Sequence, residues 1–197
     1  MIDIAETEGL SDTRIIEGSQ ADPGLFGLLY DRHEASLYRY AYRRAGPGVA
    51  EDLVAETFLA AFARRRHFDP TSGNARAWLF GILTKEISHH HRREMARLRA
   101  VARACLTSVA DDCADQTLAD ADARAARAAL ASALAELPRG DRDVLLLIAW
   151  SGLSYAETAQ ALDIAIGTVR SRLNRARRKV RAALGGEDPT RLIEEKP

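Results

Sequence analysis

The sequence predicts an all-α protein: two small helical domains joined by a linker, the second carrying two short consecutive helices at its end. Three observations lead there. Apolar residues recur at steps of three and four, and no stretch alternates apolar with polar residues long enough to form a strand. Glycine and proline fall between those runs and punctuate them. The charge sums to zero, from 28 basic and 28 acidic side chains, but it is unevenly spread. Residues 1–24 carry a net −5, 25–99 carry +5, 100–138 carry −3, 139–186 carry +5 and the last eleven carry −2. Two basic bodies separated by an acidic connector suit a chain that meets a polyanion twice, so nucleic acid is the expected partner.

Taken in order, residues 1–24 are read as an acidic N-terminal segment. Residues 25–94 form the first domain. Its first helix carries Phe26, Leu29, Tyr30, His33, Leu37 and Ala41 and stops at Ala45-Gly46-Pro47-Gly48. A second helix starts near Val49 with Val54, Phe58, Ala61 and Phe62 on its apolar stripe. Phe68-Asp69-Pro70-Thr71-Ser72-Gly73 is a loop, and Asn74 is placed to cap a third helix bearing Trp78, Leu79, Ile82, Leu83 and Ile87. Residues 95–123, rich in Ala and Asp, hold too little apolar surface for a domain and read as a linker, in part helical.

The second domain, 124–185, begins with Ala126, Leu130, Ala133, Leu134 and Leu137 at helical spacing up to Pro138. Arg139-Gly140 is expected to turn and Asp141 to cap the next helix. The run Val144 to Trp150 is apolar almost all round, which marks a central buried helix closed by Ser151-Gly152. Ser154 and Glu157 then have the spacing of a capping box, opening a short helix with Tyr155, Ala159 and Leu162 as its inner face. A tight connection leads to Thr168–Val180, where Val169, Leu173, Ala176 and Val180 share one face. A short capped helix, a turn and a second helix with polar and Arg residues at its start is a helix-turn-helix, whose second helix enters the major groove. The candidate DNA contacts are Thr168, Arg170, Ser171, Arg172, Asn174, Arg175 and Arg178, arginine being suited to guanine edges and to phosphates. Residues 186–197 are a tail.

Composition excludes other classes. With 197 residues, 47% hydrophobic and 28% charged, the chain is folded and too short for a large catalytic barrel. No apolar run approaches the roughly 20 residues that span a bilayer, and the N-terminus lacks a signal-peptide pattern, so no membrane insertion and a cytoplasmic location are expected. Cys105 and Cys113 are the only cysteines and no CxxC occurs, so neither a disulfide framework nor a four-thiolate zinc site is expected. No HExxH, P-loop or GxSxG motif points to catalysis, and no cofactor is implied. The triplet His89-His90-His91 does not read as a metal site, because consecutive helical residues point about 100° apart.

The stretch LAELPRGDRDVLLLIAWSGLSYAETAQALDIAIGTVRSRLNRARRKVRAAL resembles the DNA-binding domain of the extracytoplasmic-function (group IV) sigma factors of bacterial RNA polymerase. The first block is similar to their other domain through LYDRHEASLYRYAYRRAG, AEDLVAETFLAAF and RAWLFGIL. The resemblance covers about residues 25–93 and 126–184. It implies a non-catalytic initiation factor whose partners are core RNA polymerase, promoter DNA and an anti-sigma factor. It places Asp52, Leu53, Glu56 and Phe62 against the clamp helices of the largest polymerase subunit. It assigns the minus-ten element, as separated single strand, to Phe68, Asp69, Asn74 and Arg76 of the loop and to Lys85, His90, Arg92 and Arg93 of the third helix, with Trp78 in the core. The recognition helix then reads the minus-thirty-five element. Where many members read R-N-x-x-x-D in the third helix, this chain has Thr84-Lys85 and His89, and Ala55 stands where Gln is frequent. A stand-alone helix-turn-helix repressor or activator is the other reading, though no heptad seam for a dimer is evident.

Overall fold

The computed structural model describes residues 9–71, 74–104 and 121–184, with side chains described over 9–71, 74–99 and 128–184. The tail 186–197, both cysteines, the Ala126 side chain and most of the linker lie outside the described residues. Among the described residues there are eight α-helices, two single 3₁₀ turns and no strand. The helices are α1 Asp12–Gly18, α2 Phe26–Ala45, α3 Pro47–Arg64, α4 Ala75–Ala104, α5 Ala121–Glu136, α6 Arg139–Ser151, α7 Tyr155–Leu162 and α8 Ile166–Ala183. None is long and apolar enough to cross a membrane.

The sequence signals account for most of these ends. Gly46, at φ 87, turns the chain between α2 and α3, and Pro47 occupies the first position of α3, two residues ahead of the expected start. The Asn74 side chain accepts from the Ala77 N–H at 2.9 Å, capping α4. Gly152, at φ 65, ends α6. Helix α4 then runs past the expected domain edge at 94 to Ala104, so the first part of the linker continues the helix.

Two features differ from expectation. The acidic N-terminal segment contains α1, capped by Ser11, and its Ile15 and Ile16 are fully buried. Asp12 anchors it: its carboxylate takes Arg32 at 2.9 Å and lies 2.5 Å from the His33 ring on α2. Partial burial raises that carboxyl, but the bonds from His33 and Arg32 outweigh burial and hold it below its ordinary value. His33, expected on the apolar face, thus serves as a hydrogen-bond partner of Asp12. At the start of α6, Pro138 is the cap and Asp141 lies inside the first turn, 3% exposed. Its side chain is turned to another partner, described below.

The largest core gathers Leu29, Leu37, Tyr40, Leu53, Phe58, Leu79, Phe80 and Leu83 from α2, α3 and α4. It does not stop at the first domain. Leu146, Leu147, Leu153 and Ala161 of the second domain belong to the same cluster. Two smaller clusters complete that domain: Ala133 and Leu137 of α5 against Ala176 and Val180 of α8, and Val144 of α6 against Val169 and Leu173. The junction is closest where α4 crosses α7. A Cβ added at Gly81 would stand 2.4 Å from the Ala161 carbonyl oxygen, well inside contact distance.

This crossing yields a stability prediction. Gly81→Leu should undock the two halves, at about 1–3 kcal/mol for an overpacked contact, while leaving each half helical. Small-angle scattering should report a larger radius of gyration with an unchanged far-ultraviolet circular dichroism spectrum; an unchanged radius would show that the crossing tolerates a side chain.

Candidate nucleic-acid interface

Helix α8 divides into two faces. Val169, Leu173, Ala176 and Val180 are at most 2% exposed and dock it onto α5, α6 and α7. Arg170, Ser171, Asn174, Arg175 and Arg178 face outward, with Thr168 half-buried at the start. The helix is aimed by what precedes it. The Ser154 hydroxyl accepts from the Glu157 N–H at 3.2 Å, and the Glu157 carboxylate accepts from the Ser154 N–H at 2.7 Å, which completes the capping box of α7. Asp163, at φ 52, then reverses the chain into α8.

The exposed arginines are not equivalent. Arg175 forms a forked pair with Asp141, Nε at 3.1 Å and Nη2 at 2.9 Å. This bond raises the Arg175 guanidinium above its already high value. Arg172 lies across the start of α6, with its guanidinium 2.6 Å from where a Gly140 Cβ would be. Arg170 and Arg178, together with Ser171 and Asn174, form the outward set. In α7, Tyr155, expected inside, is 37% exposed, while Thr158 and Ala161 are buried. The short helix is covered on two sides, by its own domain through Ala159 and Leu162 and by the first domain through Ala161.

The loop and third-helix candidates are split by the fold. Phe68 is 8% exposed with its ring 5.1 Å from Trp78, so it is a core side chain and not an open base platform. The Asp69 carboxylate accepts from the Thr71 N–H at 2.9 Å and shapes the loop. The Asn74 amide donates to Glu157 at 2.7 Å, and Arg76 donates to the Ser151 carbonyl. Two groups expected to meet DNA are therefore turned to the second domain. Lys85, Arg92 and Arg93 are exposed on α4 and His90 is half-buried. Arg93 also approaches Glu56 at 3.5 Å, which joins residues that the sequence assigns to different partners.

On α3, Asp52 and Glu56 lie on the outer face, whereas Leu53 is 2% exposed and belongs to the core. Phe62 packs edge-on against Phe26 at 5.3 Å beneath the Arg65 guanidinium, so it serves the domain's own packing. The residue missed on this face is Leu59, 70% exposed. Its signal was its place three residues after Glu56 and seven after Asp52, on the charged face of the helix. Among the described residues no cluster of three His, Cys, Asp or Glu could hold a metal ion.

Glu157 couples this site to pH. Partial burial raises its carboxyl, but the bonds from Ser154 and Asn74 and the charge of Arg76 prevail and hold it below its ordinary 4.5. The stability it supplies is present above that value and is lost as pH falls through the depressed one. Unfolding midpoints in urea, taken from pH 5 to pH 3, should fall more steeply for the native chain than for Glu157→Gln.

Comparison with known proteins follows the same division. Residues 29–97 match the family described as Sigma-70 region 2, and residues 127–180 match Sigma-70, region 4. The chain is 37% identical over 172 residues, 87% of its length and 95% of the relative's, to ECF RNA polymerase sigma factor SigL of Mycobacterium tuberculosis. It is 32% identical to RNA polymerase sigma factor CnrH of Cupriavidus metallidurans, over 82% of this chain and 87% of that one. Among solved structures, CnrH in complex with the cytosolic domain of CnrY superposes with a TM-score of 0.61 at 30% identity, covering 89% of this chain and 98% of the other. The sigma factor RpoE with the anti-sigma factor NepR from Bartonella quintana gives 0.58 at 30% identity, over 81% and 96%.

Proposed function

The chain belongs to the extracytoplasmic-function RNA polymerase sigma factors, and from that premise we propose how its surfaces divide the work of initiation. It is an alternative sigma factor, a non-enzymatic protein that directs RNA polymerase to promoters. We assign it to group IV and to the cytoplasm. The observation that carries the division is the two-faced α8: its buried side fixes the helix, and Arg170, Ser171, Asn174 and Arg178 are left to meet DNA.

In this reading Arg170 and Ser171, at the N-terminal end of α8, read base edges of the minus-thirty-five element, and Arg178 meets phosphate. Arg172 and Arg175 hold α8 against α6 and set its angle. Asp52, Glu56 and the exposed Leu59 form the face for the polymerase clamp helices, an apolar anchor between charges. Lys85, His90 and Arg92 act on the separated strand, where cations hold the backbone of an unpaired segment. Asn74 and Arg76 join them only when the halves separate, because in the docked arrangement they are bonded to Glu157 and Ser151. One solved neighbour holds CnrH with the cytosolic domain of CnrY and another holds RpoE with the anti-sigma factor NepR, which supports an anti-sigma factor as regulator here.

Three measurements test this. Asp52→Arg should abolish co-purification with core polymerase without changing the circular dichroism spectrum, since an exposed interfacial charge is inverted and no core is touched. Duplex promoter binding should require core enzyme; specific binding by the isolated chain would instead indicate a stand-alone regulator. In run-off transcription, a pre-melted promoter should rescue Lys85→Ala with His90→Ala but not Arg170→Ala. Equal rescue would refute the division between duplex reading and strand capture.

A further inference from the structure

An open cleft of about 700 Å³ lies between the two halves, lined by the end of α2, the middle of α4, α5 and α6. Among the described residues six arginines line it, Arg43, Arg44, Arg92, Arg99, Arg139 and Arg142, and no carboxylate does. Asp143, behind the wall, takes Arg44 at 2.9 Å and Arg139 at 3.7 Å. The Arg142 Nε is buried with no hydrogen-bond partner, although its Nη1 donates to the Leu134 carbonyl at 3.4 Å. The His91 imidazole at the same wall is held below its ordinary value by burial and then by Arg44, His90 and Arg142, in keeping with a positive interior.

We propose that this cleft binds a small molecule bearing a polyphosphate group, which bridges the two domains and holds them docked. Several guanidiniums facing one space favour a multiply charged anion whose oxygens accept forked bonds. The volume lies in the range of small-ligand sites, about 300–1,000 Å³. Arg43 and Arg44 come from the first domain and Arg139 and Arg142 from the second, so the ligand favours whichever state keeps the four together. This regulatory consequence rests on the sigma-factor reading, whereas binding itself does not.

The experiment is isothermal titration of the full chain with tripolyphosphate, and separately with a nucleoside triphosphate, at about 0.15 M salt, where exposed charges are screened beyond about 8 Å. One saturable site is expected, weakened about tenfold or more in Arg139→Gln and in Arg142→Gln, as for loss of a charge-assisted bond, and unchanged in Arg170→Gln on the outer face of α8. Should Arg142→Gln unfold, as judged by circular dichroism, Arg139→Gln at the half-exposed rim decides. Equal affinity for the two probes assigns inorganic polyphosphate, and tighter binding of the nucleotide assigns a base near Trp150. Absence of saturable binding, a loss in Arg170→Gln alone, or saturable binding only of an acidic helical peptide would overturn the proposal. A failure of the sigma-factor reading would appear in run-off transcription and leave these titrations untouched.

Discussion

The approach of α4 to α7 at Gly81 is the constraint on which the arrangement of the two halves depends. With a hydrogen in place of a side chain, α4 comes against the Ala161 carbonyl, and that closeness lets Leu146, Leu147, Leu153 and Ala161 share a core with the first domain. Around this apolar contact lie directional bonds. Asn74 caps α4 and Glu157 caps α7, and the two capping side chains also bond each other, so the N-termini of the two helices are clasped. Each residue satisfies its own helix first and uses its remaining valence across the boundary. Losing the contact would therefore free both side chains without unravelling either helix.

Much of the fold could be read from the sequence, because its signals are local. The Gly46 and Gly152 stops, the Asn74 cap and the Ser154 and Glu157 box each depend on a few neighbouring residues, and each lies where the spacing put it. The docking face of α8 was equally plain, since four apolar residues at steps of three and four can only face one way. What failed was whatever depends on distant partners. Ile15 and Ile16 are two apolar residues in an acidic stretch, too few for a periodic signal, yet they fill the core. The spacing within the second domain points Tyr155 inward, but a helix covered from two sides buries a different stripe.

The same distinction explains the candidate site. Residues on a single exposed helix face, such as Asp52, Glu56, Arg170 and Arg178, are presented to solvent as expected. Residues at the edge of a domain are not, because another domain can claim them: Asn74 and Arg76 hold α7 and the end of α6. Leu53, Phe62 and Phe68 are instead taken up by the packing of their own domain. A motif fixes which residue types stand at which spacing. It carries no information about which surface remains open once the remainder of the chain has packed.

The start of α6 shows how few residues set this geometry. Asp141 and Asp143 are both nearly buried, and the free N–H groups of a helix N-terminus favour such carboxylates. Two positions apart on a helix, they point to different sides. Asp141 takes Arg175 from the recognition helix and Asp143 takes Arg44 from the first domain, the latter pair with side chains only 7% and 6% exposed. A buried ion pair contributes little net stability against a hydrophobic substitute, but breaking it leaves an uncompensated charge. Its effect is therefore on orientation more than on stability. One carboxylate fixes α8 within its domain and the other fixes that domain against its neighbour. Arg142 lies between them, and with both of these acids engaged its Nε has no partner among the described residues.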